Sequence, residues 1–205
     1  VGLGTRNSAI STIFKQGSMI ASESDTAFAL DGKGFFGVRG EDGNTYYTRN
    51  GNFLFTLASN GNMLATTDGN PVLSTTGQPI ILNNNYILSK ITVTSDGQLC
   101  YPDAKNNPQP IGINIGVFQF NNPNGLERLA DSLYAQTAAS GQPLNEATNN
   151  NVAKTKVLQN YLEGSNVQVA DEMVNMIVAQ RAYELNSKAI TASDEMLQQA
   201  NNLRR

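Results

Sequence analysis

The chain has 205 residues, 40% of them hydrophobic and 15% charged, and carries a net charge of −3. A charge fraction below the roughly 25% of ordinary globular chains, with an acidic balance, offers no basic footprint for nucleic acid or for an anionic membrane surface. One cysteine excludes an intramolecular disulfide, and no apolar run approaches the ~18 residues that a membrane helix needs.

Residues 1–24 (VGLGTRNSAISTIFKQGSMIASES) are rich in β-branched residues and lack a helical period, which predicts an extended lead-in segment. A β-rich domain is expected over 25–140. Asp31-Gly32, Asp42-Gly43, Asn50-Gly51, Asn60-Gly61, Asp68-Gly69 and Asp96-Gly97 punctuate it, most of them spaced by about 8 to 11 residues. Asx-Gly pairs supply the positive φ angles of tight hairpin turns. Between them lie β-prone runs at 34–38, 45–48, 53–56, 63–66, 80–82, 91–94 and 113–120. Short strands at this spacing, with no intervening helical pattern, predict a mainly β fold: an antiparallel β-sandwich or barrel-like domain rather than a parallel sheet. In 121–143, Leu126, Leu129 and Leu133 could line a short helical turn. Residues 141–164 read as a linker or connection, with the strand or helix state of 152–164 left open.

Residues 165–205 predict a long C-terminal helix, opened by Ser165 or Asn166 as N-cap and carrying Asp171 and Glu172 near its positive end. Arg204 and Arg205 match the opposite end of the dipole. Running to about Leu203, it would span roughly 57 Å. Val169, Met173, Met176, Tyr183, Ile190 and Leu197 form one apolar stripe, with Ile177 beside it. Val174, Val178, Leu185, Ala189, Ala192 and Met196 form a second. A helix with one stripe needs one partner surface, and two stripes imply burial among several helices. The expected partners are a preceding N-terminal segment and other copies of the chain. On that reading Val169, Met173, Val174, Met176, Ile177, Val178, Tyr183, Leu185, Ile190, Met196 and Leu197 are subunit-interface residues. The polar Gln180, Arg181, Glu184 and Asn186 between the stripes would set register through hydrogen bonds.

No constellation carries chemistry. Gly32-Lys33-Gly34-Phe35-Phe36-Gly37 is a literal G-x-G-x-x-G, but the nucleotide-binding form must open a helix, and here another strand pattern follows. There is no histidine, which removes the commonest general base and zinc ligand. Cys100 has no recognisable activating neighbour in the sequence. Asp68, Asp96 and Asp103 sit in turns without calcium-loop spacing. Asp171–Glu172 and Asp194–Glu195 are adjacent pairs that do not share a helix face. Met173 and Met176 at helical spacing read as packing residues. The expectation is no catalytic residue, no metal, no cofactor and no enzyme activity. A binding module in the β domain is the alternative to a structural subunit.

"ALDGKGFFGV", followed by "YYTRNGNFLF" and "NGNMLATTDGNPVL", together with "LEGSNVQVADEMVNMIVAQRAYELNSKAITASDEML", resembles the bacterial flagellar rod and hook family of axial proteins. The "RAYELNSKAI" stretch is most similar to its distal-rod members, with proximal-rod and hook-like members, or a β-domain binding module for cell-wall or ring components, as alternatives. The resemblance implies a structural subunit of the basal-body rod that self-assembles into a helical tube and transmits motor torque. Terminal helices would pack into the inner tube and the β domain would face outward. It also implies, as partners, other copies of the chain, neighbouring rod and hook proteins and surrounding ring proteins, with no nucleic acid and no membrane insertion. The implied location is the flagellar basal body, spanning the periplasm, reached without a cleaved signal peptide. The family's N-terminal helix has no counterpart before Val1, so a chain truncated at its N-terminus is expected.

Overall fold

The structure, a computed structural model, describes residues 12–58, 60–149 and 151–202. It divides into two compact units between Ser165 and Asn166. In the first unit the strands run β1 (Met19–Ala21), β2 (Phe28–Asp31), β3 (Phe35–Arg39), β4 (Thr45–Thr48), β5 (Phe53–Ala58) and β6 (Gly61–Thr66). Next come β7 (Ile81–Leu82), β8 (Thr92–Val93), β9 (Gln98–Pro102), β10 (Pro108–Asn114) and β11 (Val117–Gln119). The last are β12 (Glu127–Arg128), β13 (Leu133–Ala135), β14 (Leu144–Asn145), β15 (Lys156–Gln159) and β16 (Tyr161–Glu163). The second unit holds the helix α1 (Val169–Asn202). A mainly β fold with a long C-terminal helix is what the sequence predicts. Residues 1–11 of the lead-in segment, and Leu203, Arg204 and Arg205, lie outside the described residues.

The largest sheet has the order β12-β13-β4-β3-β11-β14, flanked by three-stranded sheets β10-β9-β8 and β5-β6-β7 and by the pairs β15-β2 and β1-β16. All the described strand pairings are antiparallel. None of these sheets closes, so the barrel-like part of the expectation is corrected. The six-stranded sheet ends in the two-residue strands β12 and β14, which pair on one side each and are too short to carry a closing seam. Isolated bridges such as Val38↔Val72 and Ser74↔Ile115 stitch the sheets together instead.

The two-residue period of β3 explains how the six-stranded sheet is buried on both faces. Phe36 and Val38 point into the main core with Leu30, Phe53, Leu64, Val72, Leu82, Ile115 and Val157. Phe35 points the other way, into a cluster with Tyr47, Phe118 and Phe120. Gly37 shares that second face, and a Cβ there would stand 2.6 Å from the Phe118 ring. The glycines of the G-x-G-x-x-G run therefore serve close packing: a Cβ on Gly34 would strike Val117, and Gly32 at φ +144° lies against Thr155. Each buried phenylalanine contributes about 1.5–3 kcal/mol.

Three local readings change. The Leu126–Leu133 stretch is not a helical turn but the hairpin β12–β13. Asp131 (φ 58°) and Ser132 (φ 59°) occupy its two central positions and Leu133 N donates to Ala130 O (3.1 Å), a primed turn matched to strand twist. The run 113–120 is split at Gly116, where a Cβ would lie 2.7 Å from Ser74 O, so the chain changes sheets there. The helix begins at Val169 rather than Ser165 or Asn166, its first turn closed by Glu172 N donating to Gln168 O (3.1 Å). The β-branched Val167 favours extended backbone just ahead of it.

The undecided stretch 152–164 becomes two strands joined at a corner. β15 pairs with β2 (Leu158↔Ala29) and β16 pairs with β1 (Leu162↔Ile20). Asn160, at φ 61°, makes the corner: its N donates to Ala27 O (2.9 Å), its O accepts from Ser22 N (2.8 Å) and its Nδ2 donates to Ser24 O (3.2 Å).

Candidate assembly surface

At 100° per residue, the two apolar stripes of α1 lie roughly half a turn apart. Val169, Met173, Met176, Tyr183, Ile190 and Leu197 drift along one side, with Ile177 at its margin. Val174, Val178, Leu185 and Met196 follow the other. All of these side chains are exposed, between 57% and 76%. Helices of this length owe most of their stability to packing of an apolar face. Here the apolar material is divided over two faces, so a single neighbour would cover half of it.

The polar groups between the stripes are tied within the helix. Arg181 Nη1 bonds Glu184 Oε2 (2.8 Å) and Gln180 Nε2 donates to Glu184 Oε1 (3.4 Å). Thr191 Oγ1 donates to Lys188 O (2.9 Å) and Ser193 Oγ to Ala189 O (2.9 Å). The exposed side-chain pairs of Glu184 with Arg181 and Gln180 add about 0.2–0.5 kcal/mol each, whereas the Thr191 and Ser193 hydroxyls bond back to the helix backbone. They fix the orientation of the long polar side chains and leave both stripes uncovered.

Cys100 is buried, with its Sγ 3.9 Å from Gln98 O. Among the described residues no three Cys, Asp or Glu side chains come together as a metal site. A polar cleft of about 320 Å³ is lined by Thr75, Asp96, Asn114, Glu146, Lys154 and Thr155, among others. Its buried carboxylate, Glu146, is committed to structure. Glu146 Oε2 accepts from Thr155 N (2.6 Å), and Oε1 accepts from Thr155 Oγ1 (2.7 Å) and Gln119 Nε2 (2.7 Å). Thr155 Oγ1 in turn accepts from Gly34 N (3.0 Å), so this network fastens the 146–155 loop to the glycine run.

Sequence reasoning missed the ion pair of Arg49 and Glu163. Arg49 Nη2 and Nε reach Glu163 Oε2 at 2.7 and 2.9 Å, while Nη1 donates to Gly32 O (2.7 Å) and Gly34 O (2.8 Å). The guanidinium also stands 5.8 Å from the Phe35 ring centroid. Glu163 Oε1 accepts from Gly17 N (3.0 Å). The one available signal was an arginine inside "YYTRNG" in a chain so poor in charge.

Two family descriptions match the chain. The flagellar hook protein FlgE/F/G D1 domain matches residues 29–101. The flagellar basal body rod FlgEFG protein C-terminal region matches residues 158–203. The flagellar basal-body rod protein FlgG of Borreliella burgdorferi is 40% identical over 206 residues, covering 100% of this chain and 74% of the relative. FlgG of Buchnera aphidicola subsp. Schizaphis graminum is 40% identical over 204 residues, covering 99% and 74%. FlgG of Bacillus subtilis is 36% identical over 214 residues, covering 100% and 75%. The chain belongs to the FlgG family of flagellar basal-body rod proteins. FlgG is the distal-rod branch of the rod and hook family, whose members are structural components of the flagellum. In this FlgG-family chain the two matched segments are joined physically, because Ala29, where the first begins, pairs with Leu158, where the second begins. Arg49 of the first segment grips Glu163 of the second. No described helix is long and apolar enough to cross a membrane.

Proposed function

We propose that this structural rod subunit self-assembles through α1, with Val169, Met173, Met176, Ile177, Tyr183, Ile190 and Leu197 packing on one neighbour. Val174, Val178, Leu185 and Met196 pack on another. The observation that carries the proposal is the exposure of both apolar stripes on a 34-residue helix. Two opposite contact faces on one subunit are heterologous, and heterologous contacts that do not close generate helical arrays, here a tube. The β unit faces outward and meets the surrounding ring proteins, while the tube ends join neighbouring rod and hook proteins. The tube lies in the basal body across the periplasm and transmits motor torque.

The test is rod assembly in cells carrying full-length protein with Met176→Asp and Leu185→Asp, one substitution on each stripe. Loss of rods and motility, with the β unit still folded, is expected. Functional rods from the double variant would remove the helix as the assembly surface.

A further inference from the structure

The β5-β6-β7 sheet has one edge that nothing guards. Among the described strands that lie at a sheet edge and exceed three residues, β2 carries Asp31, β15 carries Lys156, and β10 carries Pro108 and Pro110. Charge and proline on an edge strand oppose the addition of a further strand. β5, with the sequence FLFTLA, has neither. The alternation of an antiparallel pair decides which of its backbone groups face outward. Leu64, opposite Phe55, donates its N to Ile80 O (3.0 Å) and accepts at its O from Val72 N (2.9 Å), away from β5. Phe55 and, two residues on, Leu57 therefore turn their N–H and C=O away from β6. Phe53 does the same, but its N already donates to Thr26 O (3.3 Å), so the open edge begins at Phe55. The Phe55 side chain is half-buried against the main core, whereas Leu57, on the same face, is 89% exposed.

We propose that this edge pairs with β5 of a second copy, antiparallel and about a two-fold axis through Thr56. In that register Phe55 lies opposite the partner's Leu57, and each of the two residues exchanges N–H and C=O with its counterpart, so every outward group of both edges is satisfied. The edge is complementary to itself, and that favours a second copy over a foreign strand. Its free donors and acceptors are placed symmetrically about Thr56. From Asn50 to Thr67 the chain carries no charge, so like meets like without repulsion. Each exposed Leu57 gains a Phe55 beside it, and Thr56 meets its own counterpart on the other face, both of them stabilising cross-strand pairs. Such a contact is isologous and closed: it joins two subunits and does not extend an array. It uses no residue of the α1 stripes and does not depend on them.

Crosslinking tests the register. Directly opposed residues of a non-hydrogen-bonded pair have Cβ atoms ~4.5–5.5 Å apart, close to the reach of a disulfide. Thr56→Cys chains should therefore form covalent dimers with oxidised glutathione about tenfold or more faster than Asp68→Cys chains, whose cysteine sits at an exposed turn off the edge. Cys100 is buried and does not compete. Adding Leu57→Lys to the Thr56→Cys chain should abolish the advantage. Mixing that chain with one carrying Thr56→Cys and Leu57→Glu should restore it, since the two positions are diagonal neighbours across the pair. All chains carry Met176→Asp and Leu185→Asp, so association through α1 does not enter. Equal crosslinking of the Thr56→Cys and Asp68→Cys chains, or no loss with Leu57→Lys, overturns the proposal and leaves the assembly role of α1 untouched. Hydrogen exchange checks the edge without substitutions in β5: the Phe55 and Leu57 amides should become protected as protein concentration rises. Protection of these amides by an added neutral strand peptide of unrelated sequence, with none from the chain itself at high concentration, would assign the edge to another protein and overturn self-pairing.

Discussion

Arg49 and Glu163 are separated by 114 positions, and their side chains are only 20% and 12% exposed. Removing the cation leaves a largely buried carboxylate without its counter-charge and the Gly32 and Gly34 carbonyls without this donor. Arg49→Met should therefore lower unfolding free energy by roughly 2–4 kcal/mol in urea titrations, and Arg49→Lys by less, since an ammonium cannot reproduce the forked contacts. The tyrosines give a second residue-scale expectation. Burial pushes the Tyr47 phenol up to about 12. The hydrogen bond from Tyr46 Oη to Asp42 Oδ2 (2.7 Å) raises the Tyr46 phenol and lowers the Asp42 carboxyl. A phenol whose folded value is raised stabilises the fold below its unfolded value near 10, and that contribution is lost as pH rises toward 12. In spectrophotometric titration Tyr47→Phe should remove the last-ionising tyrosine, and Asp42→Asn should return Tyr46 toward its ordinary value. Asp42 contributes in the opposite sense: its part is present above the unfolded carboxylate value and is lost as pH falls through the lowered one. None of these partnerships is legible in the sequence. Nothing about "TRNG" states that its arginine will meet a glutamate beyond position 160.

At the scale of elements, legibility follows the range of the interaction. β4 at 45–48 is read off to the residue, because Tyr46 and Tyr47 stand between two Asx-Gly turns that fix both ends. The helix is read nearly as well, because its period is internal: its start moves to Val169, and its expected end near Leu203 lies outside the described residues. The hairpin of β12 and β13 is misread. Three leucines at helical spacing are outweighed by Asp131 and Ser132 in left-handed backbone, a conformation aspartate adopts easily but does not announce. β15 and β16 are missed because their partners lie at the other end of the unit. β3 carries a testable demand. Gly37→Ala would force a methyl against the Phe118 ring and should cost about 1–3 kcal/mol, measured by the denaturant midpoint. Gly43→Ala, where nothing lies within 4 Å, should cost only the strain of φ 79°.

For the whole molecule, the apolar residues fall into two populations. Those of the β unit are spent on its own two clusters, and those of α1 remain exposed within a chain that still folds around the first set. Composition sets the expectation of no catalytic constellation, since a chain with no histidine and one cysteine has few ways to build one. The double-faced helix was legible from periodicity. What the sequence did not reveal is how the β unit is closed. β15 covers β2, β16 covers β1, and Glu163 clasps Arg49, so the last strands complete a fold whose first strands lie 125 to 144 residues earlier. A chain ending at residue 150 should therefore bind apolar dyes and exchange its β2 and β3 amides rapidly, whereas one ending at Ser165 should protect them.

That late closure sets a clock on a polypeptide delivered N-terminus first. Until residue 163 has emerged, β1 and β2 wait without partners and the clasp on Arg49 cannot form. The unit then closes in one step dominated by contacts of long sequence separation, which are intrinsically slow to find. A nascent chain thus stays pliable over most of its length and stiffens only when the segment leading into α1 arrives. Rigidity of the β unit and the emergence of α1 are timed together by the order of the chain.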